Sequence, residues 1–191
     1  MIQPVVVSAP GKLVILGEYV VLEGGPCLVA AINRRARVAL RPASGAVGRI
    51  TAWMPKALER RFAVGEPSQL ILVDQLREAL GWTDRVFEAD LDTRDVFDPA
   101  SGEKLGVGSS AALSCALWAA MQVASSTPAA ALVYADLDRL RQVLQGGRGS
   151  GVDLAASFAG GLQRFERPPG EHGAQLEALD WPAEVALVVV F

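Results

Sequence analysis

The chain has 191 residues, 51% of them apolar, and a formal net charge of -3. That composition supports a sizeable core and speaks against a nucleic-acid surface, because the basic residues are scattered and no aromatic-basic stripe occurs. The two cysteines, Cys27 and Cys115, lie far apart in apolar surroundings, which suits buried thiols in a reducing compartment better than a disulfide or metal framework.

Along the chain, Val5 to Ser8 predicts a strand, Ala9-Pro10-Gly11 a turn and Leu13 to Leu16 a second strand. After a turn at Glu23 to Pro26, Cys27 to Ile32 is apolar and Arg34 to Leu40 alternates, as in an antiparallel sheet with one wet face. Arg49 to Trp53 and Arg61 to Val64 read as edge strands. Ser68 opens a helix with apolar Leu72, Val73, Leu76 and Leu80, and Gly81 stands where a C′ glycine belongs. Val86 to Leu91 alternates as a strand, and Asp92 to Glu103 is a polar loop. Ser109 to about Ala124 is apolar nearly all round, the pattern of a buried helix. Ser125 to Pro128 breaks it, and a second helix runs from Ala129 to Leu144. Val152 to Ala159 is a short helix ended by Gly160-Gly161, Leu162 to Phe165 a strand, Arg167 to Gly173 a loop and Ala186 to Phe191 a last strand. The N-terminus shows no secretory pattern and the apolar helix falls short of membrane-spanning length, so the expectation is a cytoplasmic protein with no membrane partner.

The chemistry concentrates at Lys104 to Ala111. Gly106 and Gly108 permit backbone conformations that a Cβ obstructs, and Ser109 and Ser110 place hydroxyls and N–H groups at a helix start. Such a terminus favours an anionic phosphoryl group. The alternatives on these residues are a serine-capped core helix with a purely structural turn, and a shortened dinucleotide fingerprint. The fingerprint fits poorly, since a polar loop precedes the glycines and no acid follows about 20 residues on. A single histidine, His172, leaves no Ser-His-Asp arrangement and no histidine metal cluster.

Three separated stretches, APGKLVILGEYVVLEGGPCLVAAI, KLGVGSSAALS and GSGVDLAASFAGGLQRF, together resemble the GHMP small-molecule kinases, and phosphomevalonate kinases most of all. The resemblance implies an α+β N-terminal domain over 1–191, a mixed or antiparallel sheet packed on the buried helix that follows the phosphate loop. It implies ATP held by Lys104, Gly106, Val107, Gly108, Ser109, Ser110 and Ala111, with Ser110 helping to hold Mg²⁺. Lys12 matches the family's active-site lysine, an ammonium that neutralises charge on the transferring phosphoryl group. Asp153 matches the carboxylate that orients or deprotonates the attacking oxygen. Glu18, Tyr19, Arg148 and Ser150 are the acceptor-side candidates, with Arg148 equally readable as a solvent-facing loop residue.

Two departures qualify the resemblance. Mevalonate kinases place a magnesium-binding glutamate where Gln142 stands here, and an amide is a weaker ligand. The family's third glycine-rich motif lies in a C-terminal domain, and this chain ends at Phe191 before any such segment. The expectation is therefore half of an ATP-dependent phosphomevalonate-type kinase, weak in nucleotide binding and turnover by itself, whose partners are a phosphorylated small-molecule acceptor and a missing C-terminal domain or second chain. The rival expectations are another kinase of the family with an alcohol acceptor, such as mevalonate kinase, and a non-catalytic half that binds a nucleotide or a partner domain.

Overall fold

The computed structural model describes residues 2–125, 134–146, 149–168 and 173–189. Its centre is a long strand, β2 (Cys27–Pro42), whose alternation buries Ala36, Val38 and Leu40 and turns Arg35, Arg37 and Arg41 to the other face. The strand β1 (Val5–Leu16) runs antiparallel along one edge of β2. Two strands share the opposite edge, β5 (Phe87–Asp92) beside Arg37–Pro42 and β6 (Leu162–Glu166) beside Cys27–Ala30. β3 (Val47–Trp53) and β4 (Ala57–Ala63) form a hairpin outside β5, and β7 (Gln175–Leu179) pairs outside β6.

The sheet is mixed, because β3 lies parallel to β5. A crossover makes this possible: after β4 the chain passes through α1 (Ile71–Ala79) before entering β5. Leu70 is the extended residue before α1, while Gly81, at φ 66, takes the left-handed position expected of it. Arg77 of α1 is 2% exposed, yet its guanidinium donates to the Glu66 and Thr83 carbonyls at 2.8 and 3.1 Å and stacks 4.4 Å over the Phe62 ring. These contacts offset the cost of burying the charge.

The remaining helices cover one face of the sheet. α2 (Ser109–Ala124) buries Leu117, Trp118, Ala120 and Met121 against β1 and β2, as its all-round apolar sequence requires. α4 (Val152–Ala159) packs between α2 and β1, and α3 (Tyr134–Gln145) touches α1, α2 and α4. The other face of the sheet carries a charge ladder in which Arg41 bonds Glu88 and Asp90, and Arg49 bonds Glu88. This is the wet face the alternation predicts.

Three expectations need correction. Ala9-Pro10-Gly11 is no turn but the middle of β1, where the register slips: Pro10 faces Arg35 and Gly11 faces Ile32, leaving Asn33 and Arg34 as extra residues of β2. Serine does not cap α2, for the residue before Ser109 is Gly108 at φ 77 and no side chain caps the helix. Of the strand expected over Ala186 to Phe191, residues 186–189 form none, and Val188 is 81% exposed; residues 190 and 191 lie outside the described residues. Missed altogether were β7 and the start of β4, both on outer strands where alternation is weak. Arg148, His172, the break at Ser126 to Pro128 and the first turn of the helix from Ala129 lie outside the described residues.

Candidate phosphate-binding site

Gly11 and Lys12 lie in β1 beside the first glycine loop. The Lys12 N–H donates to the Val107 carbonyl at 2.8 Å, so the loop is fastened directly to the strand. A Cβ on Gly11 would stand 2.5 Å from that same carbonyl, which explains the glycine by close approach and not by turning. Gly108 has two reasons to be glycine. Its φ is 77, and a Cβ there would meet Lys12 Cγ at 2.7 Å. The stem of Lys12 thus runs across Gly108, at the mouth of α2.

At that mouth the N–H groups of Ser109, Ser110 and Ala111 meet no protein acceptor among the described residues; the first bond into the helix is from Ala112 N–H to the Gly108 carbonyl at 3.1 Å. Ser109 is buried and Ser110 exposed. Because no hydroxyl caps the helix, its orphan donors and positive dipole end remain available to an external anion. Lys104 is exposed and joins Phe97 in a bridge that holds the loop's entry.

The second glycine loop brings Asp153 to the same region. Gly151, at φ 82, precedes α4, and a Cβ there would meet Arg141 Cδ at 2.9 Å. Arg141 donates to the Gly149 carbonyl at 3.0 Å, and Arg167 to the Ser150 carbonyl at 2.9 Å. Two arginines therefore fix the backbone of this loop, a role invisible in sequence because Arg167 comes from beyond β6. Asp153 accepts from the Leu154 N–H at 2.9 Å.

Two cavities adjoin at Asp153. One, of about 320 Å³, is lined by Lys12, Glu18, Tyr19, Ser150 and Asp153. The other, of about 210 Å³, is lined by Ser110, Ser114, Gln75, Leu144 and Asp153. The structure thus brings Lys12, Glu18, Tyr19, Ser150 and Asp153 around one space and Ser110 with Asp153 around the next. Lys12 of β1 and Asp153 of α4 form no ion pair among the described residues, and both line the same cavity. Tyr19 is 79% exposed at the rim, beside a 3-10 turn over Val20–Glu23. Gln142 is exposed, and Leu144 is the residue that α3 turns to the smaller cavity.

The donor set suits a hard cation, since the metal-ligating atoms that Ser110, Ser114, Asp153 and Gln75 bring to the smaller cavity are all oxygens. No group of three or more His, Cys, Asp or Glu side chains forms a metal cluster among the described residues, so such a cation would share its ligands with a phosphate. Two thiols flank the site. Burial pushes the Cys115 thiol well above its ordinary value, reinforced by Asp153, and its Sγ lies 3.6 Å from the Leu154 carbonyl that it bonds. Burial also raises the Cys27 thiol, against the pull of Lys12 and with the push of Glu18.

A further cavity, of about 560 Å³, is lined by Arg34, Arg37, Pro55, Arg94 and Phe97, with Asp92 and Asp95. Neither its arginines nor its apolar wall stood out in the sequence, because they come from β2, the β3–β4 turn and the loop after β5.

A galactokinase galactose-binding signature matches residues 2–42, the stretch that holds Lys12 and Glu18. Over 193 residues the chain is 31% identical to a mevalonate kinase of Aeropyrum pernix, covering 93% of this chain and 57% of that one. Over 164 residues it is 30% identical to a phosphomevalonate kinase of Saccharolobus solfataricus, covering 82% and 47%. The chain therefore spans about half the length of these curated relatives. Its fold resembles Streptococcus pneumoniae phosphomevalonate kinase, solved with phosphomevalonate and AMPPNP, at TM-score 0.73 and 20% identity over 96% of this chain and 64% of that one. It also resembles Methanococcus jannaschii mevalonate kinase, at TM-score 0.66 and 14% identity over 94% and 56%.

Proposed function

We infer from a chain homologous to the GHMP kinases, with the seven-stranded fold of their N-terminal domain, that it is the nucleotide-binding part of an ATP-dependent small-molecule kinase. The observation that carries this reading is the shared wall at Asp153: the uncapped N-terminus of α2 opens on one side of it and the Lys12 cavity on the other. A triphosphate laid on Gly106 to Ala111 meets the free N–H groups of Ser109, Ser110 and Ala111. Its terminal phosphoryl group then lies between Lys12 and Asp153.

In this arrangement Lys12 neutralises negative charge on the phosphoryl oxygens, and crossing Gly108 preorganises the ammonium for that task. Asp153 orients the acceptor oxygen and takes its proton when the acceptor is an alcohol. Glu18, Tyr19 and Ser150 line the acceptor side. A bound Mg²⁺ ion, held through Ser110 and Asp153, would supply charge neutralisation on the phosphates.

The acceptor of the first reading is phosphomevalonate, giving a diphosphate, supported by the QGGRGSGVD form of the second loop and by the similarity to phosphomevalonate kinase. An already anionic phosphate needs positioning more than a base. A second reading, an alcohol acceptor such as mevalonate, is favoured by the charge of the described cavity: Glu18 and Asp153 oppose a single lysine. ADP release with Mg-ATP, offering phosphomevalonate and mevalonate separately, decides between them. The kinase reading expects a rate that depends on one acceptor and disappears in Asp153→Asn and Lys12→Met; a rate indifferent to both substitutions contradicts it.

A further inference from the structure

Four helices meet around the 210 Å³ cavity beneath the first glycine loop, and α1 contributes Gln75 to it. Two other polar side chains of this helix, Asp74 and Arg77, are occupied elsewhere. Asp74 accepts from the Ser68 N–H at 2.7 Å and pairs with Arg77 at 3.3 Å, while Arg77 holds the Glu66 and Thr83 carbonyls. Ser114, across the cavity, donates its hydroxyl to the Ser110 carbonyl at 2.8 Å. Leu144 gives α3 an apolar side here. Gln75 is half-buried, and its side-chain amide makes no hydrogen bond among the described residues.

We propose that Gln75 is a third ligand-binding side chain of this pocket, joining Ser110 and Asp153 on the cation-and-phosphate end of the nucleotide. The inference rests on the kinase reading above. The chemistry favours an amide at this place. The ligand is itself polyanionic, and a second carboxylate beside Asp153 would repel it. A neutral amide offers an oxygen to a hard cation or to its water shell, and an N–H to a phosphoryl oxygen, without adding charge. It follows that the pocket, with one carboxylate, binds a free divalent cation weakly and the cation–nucleotide complex far better.

Titration of the full 191-residue chain with Mn²⁺ alone, with AMP-PNP alone and with both, followed by the Mn²⁺ electron paramagnetic resonance signal and by calorimetry, tests this. Gln75→Ala is expected to weaken Mn²⁺–AMP-PNP binding by roughly five- to tenfold, the effect of losing one neutral hydrogen bond or ligand contact. Gln75→Glu, folded by circular dichroism, is expected to bind Mn²⁺ alone more tightly and metal-free AMP-PNP more weakly than the wild type. If the wild type binds AMP-PNP and both variants match it with either ligand, the assignment of Gln75 is overturned and the kinase reading stands. If the wild type binds no AMP-PNP, both fall.

Discussion

Single residues in this chain answer to close approach more than to local conformation. Gly108 is the clearest case, since both its φ of 77 and the passage of Lys12 exclude a side chain. Gly108→Ala is expected to cost more than about 1 kcal/mol of stability and, by pushing Lys12 aside, to weaken nucleotide binding as well. Urea unfolding and calorimetry on the same preparation check the two effects; a destabilised variant with unchanged nucleotide affinity would separate the strain from the lysine. Cys115 makes the opposite kind of prediction. Its thiol is buried and raised by burial and by Asp153, so the reactive thiolate is scarce at neutral pH. Alkylation by iodoacetamide should therefore proceed only through unfolding, and fast labelling of the native chain would show an open α2–α4 contact.

At the scale of elements, α2 links the core to the site. Its buried side chains include Trp118, at 1% exposure, and its first turn offers the free N–H groups. Trp118→Ala is expected to cost about 3–5 kcal/mol, read from the denaturation midpoint. At the 3-10 turn over Arg94–Val96, Asp92 accepts from the Arg94 N–H at 3.0 Å and Asp95 from the Arg35 N–H at 2.7 Å. Hydrogen bonds from the Arg94 side chain hold Asp92 below the usual carboxylate range, outweighing its burial. The Ala100 N–H and the Ser101 hydroxyl do the same for Asp98. Since both folded values are depressed, their stabilisation is complete above the unfolded value of about 3.9 and is lost as pH falls through the folded values. Asp92→Asn should lower stability near neutrality and flatten the acid limb of the profile measured by thermal melting. An acid limb unchanged by the substitution would contradict this assignment.

The helices α2 and α4, the helical face of α1 and the alternation of β2 were legible in the sequence, because periodicity and glycine stops are local signals. The meaning of Pro10-Gly11 was not. Its glycine serves Val107, ninety-six positions away, and no spacing rule records such a contact. The same limit hid Arg141 and Arg167, which act on the second loop through its carbonyls, and the arginine-lined cavity, whose walls come from three separate segments. Within the candidate site, sequence pointed to Lys12, Ser110 and Asp153 by resemblance, while only the fold shows that they share adjoining cavities and that Leu144, not Gln142, faces the smaller one.

At the scale of the whole molecule, the proposed phosphate-binding site joins three distant segments, Gly11-Lys12, Gly106 to Ser110 and Gly149 to Asp153. Calorimetric titration of the chain with AMP-PNP in Mg²⁺, for the wild type and for Lys12→Met, tests it most directly. Saturable binding to one site is expected, weakened about tenfold or more by Lys12→Met through the loss of a charge-assisted contact. Absence of saturable binding, or equal affinity in the two proteins, would contradict it.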